Sequence, residues 1–113
     1  MRVPNIELAQ VTEEKITRYL LNPAHPVGGG KALFFLRSGF TLAGWEVLAQ
    51  ALLHHAGAND VVQSEQTQYG VRYVVDGPLT APDGTVLNVR SAWYIDSDGG
   101  PTRFVTAHPL PKR

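Results

Sequence analysis

Val86-Leu-Asn-Val-Arg-Ser-Ala-Trp-Tyr-Ile-Asp96 alternates without a break. Leu87, Val89, Ser91, Trp93 and Ile95 fall on one side, and Asn88, Arg90, Ala92, Tyr94 and Asp96 on the other. Successive side chains of a strand point to opposite faces, so this period of two predicts a β-strand with one buried face. Upstream, residues 69–76 repeat the pattern, with Val71, Tyr73 and Val75 against Arg72, Val74 and Asp76. Pro82-Asp83-Gly84 between them is a turn signal, and Ser97-Asp98-Gly99-Gly100-Pro101 supplies a second hairpin loop. Residues 61–65 read as a first strand and residues 103–110 as a last one. Short connections make neighbouring strands antiparallel. On the last strand Phe104, Thr106 and His108 share a face; with Val105 and Ala107 inward, Thr106 and His108 join Arg90 and Tyr94 on the open side.

Ahead of the strands the period is closer to 3.6. Residues 1–11 read as an extended lead-in anchored by Ile6 and Leu8. Thr12 is a fitting N-cap, Glu13 and Glu14 suit the positive end of a helix dipole, and Ile16, Tyr19 and Leu20 form an apolar stripe. Asn22-Pro23 stops that helix, because the residue before proline is pushed out of the α region. Residues 31–37 predict a short helix with Leu33 and Phe34 toward the core, broken at Ser38-Gly39. Thr41 caps a longer helix to about His55, with Trp45, Leu48, Ala49, Leu52 and Ala56 on one face and Gly57 as its left-handed terminus. The expected architecture is α+β: N-terminal helices packed on one face of a four-stranded antiparallel β-meander.

The chain has 113 residues, enough for one domain with its own core, and residues 1–113 are read as a single unit. It carries no cysteine, so disulfides and thiolate metal sites are excluded and a reducing, cytoplasmic setting fits. No apolar run has the length of a membrane span, and the N-terminus lacks the apolar region of a signal peptide. Ten acidic and ten basic residues cancel. That balance speaks against broad duplex binding, yet allows a few cations gathered in one cleft.

Chemistry concentrates in Asn22-Pro-Ala-His-Pro-Val-Gly-Gly-Gly-Lys31. The glycine amides of Gly28, Gly29 and Gly30 with Lys31 can hold one phosphate group, or they form a surface loop with a solvated lysine. The stretch lacks the spacing of a nucleotide-binding P-loop, and Ala32 stands where a metal-binding hydroxyl is needed. No metal or other cofactor is expected: His54 and His55 are adjacent, so on a helix they diverge by about 100° and read as solvated residues. No nucleophile elbow surrounds any serine, and Ser91 reads as a small buried hydroxyl bonded to backbone. Metal-free RNA cleavage asks for less, because RNA brings its own 2′-OH. His25 and His108 can move protons, Lys31 and Arg90 can neutralise phosphate, Thr106 can donate to it, and Tyr94 can contact the substrate. Each has a plainer reading: His25 a turn residue, His108 an edge residue, Arg90 a partner of Asp76.

The blocks Tyr19-Leu-Leu-Asn-Pro-Ala-His-Pro26 with Gly28, Lys31, Ala32 and Phe34, Tyr69-Gly70 with Tyr73-Val-Val75, Val89-Arg-Ser-Ala-Trp93, and Arg103-Phe-Val-Thr-Ala-His-Pro109 resemble a family of small bacterial domains of unknown function. That family in turn resembles the barnase, EndoU, colicin and RelE group of ribonucleases, often toxins restrained by a cognate antitoxin or immunity protein. The resemblance implies a metal-independent endoribonuclease with His25, Lys31, Arg90, Thr106 and His108 at its site, and RNA and a restraining protein as partners. This chain departs from the pattern in having His108 in place of a tyrosine and in the extra Thr102. The alternative is a non-catalytic protein-binding module of a toxin–antitoxin or immunity pair, for which open sheet edges and neutral charge are suited.

Overall fold

A computed structural model describes residues 1–26 and 29–110. The sheet is the expected meander, in the order β1-β2-β3-β4, formed by β1 (Val61–Thr67), β2 (Gly70–Thr80), β3 (Val86–Asp96) and β4 (Arg103–Pro109), each antiparallel to its neighbour. β3 has the bounds its alternation predicted. β2 runs beyond its predicted end, through Pro78. Proline is tolerated there because β1 stops pairing at Val75, leaving that stretch of β2 without a second neighbour. Gly70 opens β2 against β3: a Cβ there would lie 2.3 Å from the Ile95 carbonyl and 2.7 Å from the Tyr94 ring, so no side chain fits.

Helices α1 (Gly29–Arg37) and α2 (Trp45–Ala58) and a π-helical segment, Lys15–Leu20, pack with one face of the sheet. The core joins Ile16, Leu20, Phe35, Leu48 and Leu52 to Val75, Val89, Trp93 and Phe104, all 2% exposed or less. Trp93 and Phe104 meet edge to face at 5.4 Å, an arrangement aromatic quadrupoles favour.

Several local expectations are corrected. The lead-in is not extended throughout: Asn5 takes a left-handed conformation (φ 55°) before a 3₁₀ turn, Ile6–Leu8, and Leu8 is exposed while Val3 enters the core. α1 begins before Lys31, and its core residues are Ala32 and Phe35 instead of Leu33 and Phe34. The reason is Lys31, which faces the π-helical segment and β4 and carries Phe35, four residues on, into the core on the same helical face. α2 starts at Trp45; Thr41 accepts the Gly44 amide at 2.9 Å ahead of it and does not cap the helix proper. The helix also continues past Gly57 to Ala58.

His55 is not solvated. It is 1% exposed, and the reading that paired it with His54 on the surface fails because His55 lies seven residues after Leu48, two helical turns along the buried face. Its Nε2 faces the carbonyls of Val89 (3.0 Å) and Gly77 (3.2 Å), which only accept, so Nε2 carries the proton. Nδ1 then accepts from Ser91 Oγ (3.0 Å), whose oxygen accepts from Trp93 Nε1 (2.9 Å). Ser91 is thus buried as expected, but its bonds go to side chains.

The last strand carries a second correction. Ala92 pairs with Thr106 and Trp93 with Phe104, so Val105 is an extra residue in a β-bulge. Simple alternation therefore breaks: Phe104 and Ala107 are buried, and Thr106 and His108 share the half-buried side. The extra Thr102 is also structural. It is 1% exposed, donates to the Pro4 carbonyl at 2.7 Å and accepts the Gln10 amide at 2.8 Å, tying the N-terminal segment to the start of β4.

Candidate active site

The site grows from the π-helical segment. Leu21 N–H donates to the Ile16 carbonyl at 2.7 Å, five residues back, and such widened turns recur at functional sites. The widening leaves Ile16 and Leu20 in the core and brings Lys15 and Tyr19 to the edge of β4. Asn22 then reverses the chain: its amide nitrogen donates to the Arg18 carbonyl (3.1 Å), its amide oxygen accepts from Ala24 N (3.0 Å), and its own carbonyl accepts from His25 N (3.1 Å). This turn sets the His25 ring edge-on against the Tyr19 ring, centroids 5.0 Å apart.

Three segments distant in sequence converge on the Tyr19 hydroxyl. Lys31 Nζ donates to it at 2.8 Å and to Thr106 Oγ1 at 3.2 Å, while Tyr19 Oη and Thr106 Oγ1 lie 2.8 Å apart. Lys15 Nζ donates to the Val105 carbonyl at 3.3 Å and stands 5.4 Å from the Tyr19 ring centroid; Lys31 Nζ stands 5.3 Å from it. Beside the Val105 bulge, these bonds join β4 to α1 and the π-helical segment. Burial works to raise the Tyr19 phenol, but the hydrogen bonds from Lys31 and Thr106 and the charges of Lys31 and Lys15 outweigh it and lower it. An ammonium has three donors, and two of those on Lys31 are used here.

His25, Lys31 and Thr106 are therefore brought together, through a residue that sequence reading had placed in an apolar stripe. Tyr19 was the missed member, with Lys15 beside it. The signal lay in residue type: a tyrosine at a stripe position has a hydroxyl that must find a partner when half buried.

His108 and Arg90 form a neighbouring group. They are cross-strand partners, and His108 follows Thr106 by two residues on the same face, about 7 Å along the strand. His108 Nδ1 lies 3.0 Å from the Pro109 carbonyl, which makes Nδ1 the donor and leaves the Nε2 lone pair available in the neutral ring. Arg90 holds Asp76 by two bonds, 2.7 and 2.8 Å. Those bonds, with the Arg90 and His108 charges, hold the Asp76 carboxyl below its ordinary range against the opposing effect of burial. Tyr94 lies four residues further along β3, where its hydroxyl is 3.1 Å from Thr67 Oγ1 and Arg103 covers its ring at 5.2 Å. It shares the strand face of Arg90 and stands apart from the Lys31 cluster. Gly29 and Gly30 open α1, and a Cβ on Gly30 would meet nothing within 4 Å; Gly28 lies outside the described residues. Among the described residues no group of three or more His, Asp or Glu side chains could hold a metal ion.

The family described as "Domain of unknown function (DUF6883)" matches residues 2–111. The chain belongs to that family. No curated protein matches it. Among solved structures, it is similar to a chain of a contact-dependent growth inhibition toxin–immunity protein complex from Klebsiella pneumoniae 342, with TM-score 0.67 and 22% identity over 91% of this chain and 99% of that one. At that identity the likeness is one of fold. Among the described residues, no helix is long and apolar enough to cross a membrane.

Proposed function

We propose that this domain is a metal-independent, toxin-like RNA endonuclease. The observation that carries the reading is the convergence of Lys31 Nζ, Tyr19 Oη and Thr106 Oγ1 within 3.2 Å of one another, with His25 packed on the tyrosine. Lys31 and the Thr106 hydroxyl bind the scissile phosphate and neutralise the charge that builds on its oxygens, with the amides of Gly29 and Gly30 at the start of α1 beside the same anion. Of the two histidines, one takes the 2′-OH proton as that oxygen attacks phosphorus. The P–O5′ bond then breaks, and the other acid supplies the proton to the leaving 5′-oxygen. Products are a 2′,3′-cyclic phosphate and a 5′-hydroxyl. Arg90, held by Asp76, adds positive charge beside His108, and Tyr94 offers a ring further along the RNA path. Tyr19 joins these residues as the relay between Lys31 and Thr106, its lowered phenol suiting a proton-sharing role.

The resemblance to a toxin–immunity complex supports a restraining protein as partner, and a site rich in cations gives such a partner a surface to cover. One observation favours the module reading: β1 is exposed along Val62 to Thr67 and forms one edge of the sheet, open to strand addition. The two part on a simple assay. Purified protein is incubated with single-stranded RNA in excess chelator; cleavage that leaves 2′,3′-cyclic ends and is lost in Lys31→Ala supports the nuclease, while intact RNA with a stable protein partner supports the module.

A further inference from the structure

Beside the Lys31 cluster, on the outer side of Tyr19, lies an open depression of about 380 Å³ lined by Thr12, Glu14, Lys15, Arg18, Tyr19 and His25. We infer that it is a second RNA subsite, holding the nucleotide that flanks the scissile phosphate, with its base against the Tyr19 and His25 rings and its phosphate on Arg18. The inference rests on the nuclease reading for the identity of the polymer, and on three features of the surface.

The first is continuity. Tyr19 lines the depression with its ring while its hydroxyl joins Lys31 and Thr106, so a ligand at one is in contact with the wall of the other. The second is charge. The arginines at positions 2, 90 and 103 each form an ion pair with an aspartate, whereas Lys15, Arg18 and Lys31 form none among the described residues. Arg37, at the far end of α1, and Arg72, on β2, are also without an ion pair among the described residues, but the other three stand together, and in a chain of zero net charge such a group is placed where a polyanion would lie. The third is the pairing of ring faces with cations, the combination by which proteins hold single-stranded nucleic acid without reading a long sequence. Glu14 on the rim adds an acceptor, which can take a bond from an exocyclic base amine.

The test uses the whole chain and a short fluorescein-labelled single-stranded oligonucleotide of 2′-O-methyl ribose, which has no 2′-OH to attack phosphorus. Arg18→Gln should weaken its binding about tenfold and make the slope of log affinity against log salt shallower by about 0.7, the value of one single-strand phosphate contact. Arg37→Gln, at the far end of α1, is the control and should change neither. Wild-type affinity and slope in Arg18→Gln would overturn the subsite, as would displacement of the oligonucleotide by poly-glutamate as readily as by unlabelled RNA, which assigns the depression to protein contact. Cleavage is read separately. Arg18→Gln should lower kcat/KM on an oligonucleotide and leave a dinucleotide unaffected, because the dinucleotide has no flanking phosphate to lose. RNA cleaved by the wild type but indifferent to Arg18 sinks the subsite alone; uncleaved RNA with Arg18-dependent binding sinks the nuclease reading alone.

Discussion

Replacing His55 by phenylalanine should cost the domain about 3–4 kcal/mol and flatten its response to mild acid. The ring volume is roughly kept, so little cavity forms, but the Val89 and Gly77 carbonyls lose a donor and the Ser91 hydroxyl an acceptor. Leaving a buried polar group unpaired costs about 1–3 kcal/mol, and partial relaxation of the three keeps the sum near the lower end of their total. Against a typical stability of about 5–15 kcal/mol, that is a large share. The acid response follows from the burial of the same ring. Burial lowers the His55 pKa from 6.5, against the pull of the Val89 and Gly77 carbonyls and of Asp76. An unfolded histidine therefore takes up a proton before the folded one does. The stabilisation from a neutral His55 is complete above pH 6.5 and falls as pH drops from there toward the folded pKa. Urea unfolding of both proteins between about pH 5 and 8 reads the effect directly. The wild type should lose midpoint below pH 6.5 more steeply than His55→Phe. Parallel curves would refute a buried, neutral His55, and a variant as stable as the wild type at pH 7 would refute the assignment of Nε2–H to the sheet carbonyls.

Other outcomes follow from single residues. Tyr19→Phe keeps the ring contact with His25 and removes the hydroxyl shared by Lys31 and Thr106; RNA cleavage should fall about 10²-fold or more while the unfolding midpoint moves little. Gly70→Ala has no room at the Ile95 carbonyl and should destabilise by about 2–3 kcal/mol, measured by thermal or urea unfolding. Asp76→Asn leaves Arg90 half exposed and should cost at most about 1 kcal/mol at neutral pH. Because the Asp76 carboxyl is held low by Arg90, wild type and Asp76→Asn should converge in stability only as pH falls through and below 3.8.

What could be read from sequence was what periodicity controls. β3 and the order of the meander are written in alternation and turn residues, and the structure follows them. Phase was harder. The three glycines and proline before Lys31 leave the orientation of α1 unmarked, and with Lys31 turned toward Tyr19 and Thr106 the core takes Ala32 and Phe35 in place of Leu33 and Phe34. His55 was discoverable by counting from Leu48 and Leu52, but two adjacent histidines near a helix end look solvated until a buried acceptor is known. The Val105 bulge has no residue signature; it appears only when Trp93 and Phe104 are matched across the sheet. At the candidate site, Lys31 and Thr106 were legible because a glycine loop and a hydroxyl invite a phosphate. Tyr19 was not, since its ring satisfies the apolar stripe and its hydroxyl meets partners 12 and 87 residues away.

The central claim is that Lys31, Tyr19 and Thr106 surround a phosphate under attack by its own 2′-OH. The decisive measurement is mass spectrometry of RNA fragments after incubation with the purified chain in excess EDTA. Fragments ending in 2′,3′-cyclic phosphate, absent when Lys31→Ala of equal fold replaces the wild type, are predicted. Intact RNA, or fragments ending in 3′-hydroxyls that require added metal, would contradict it.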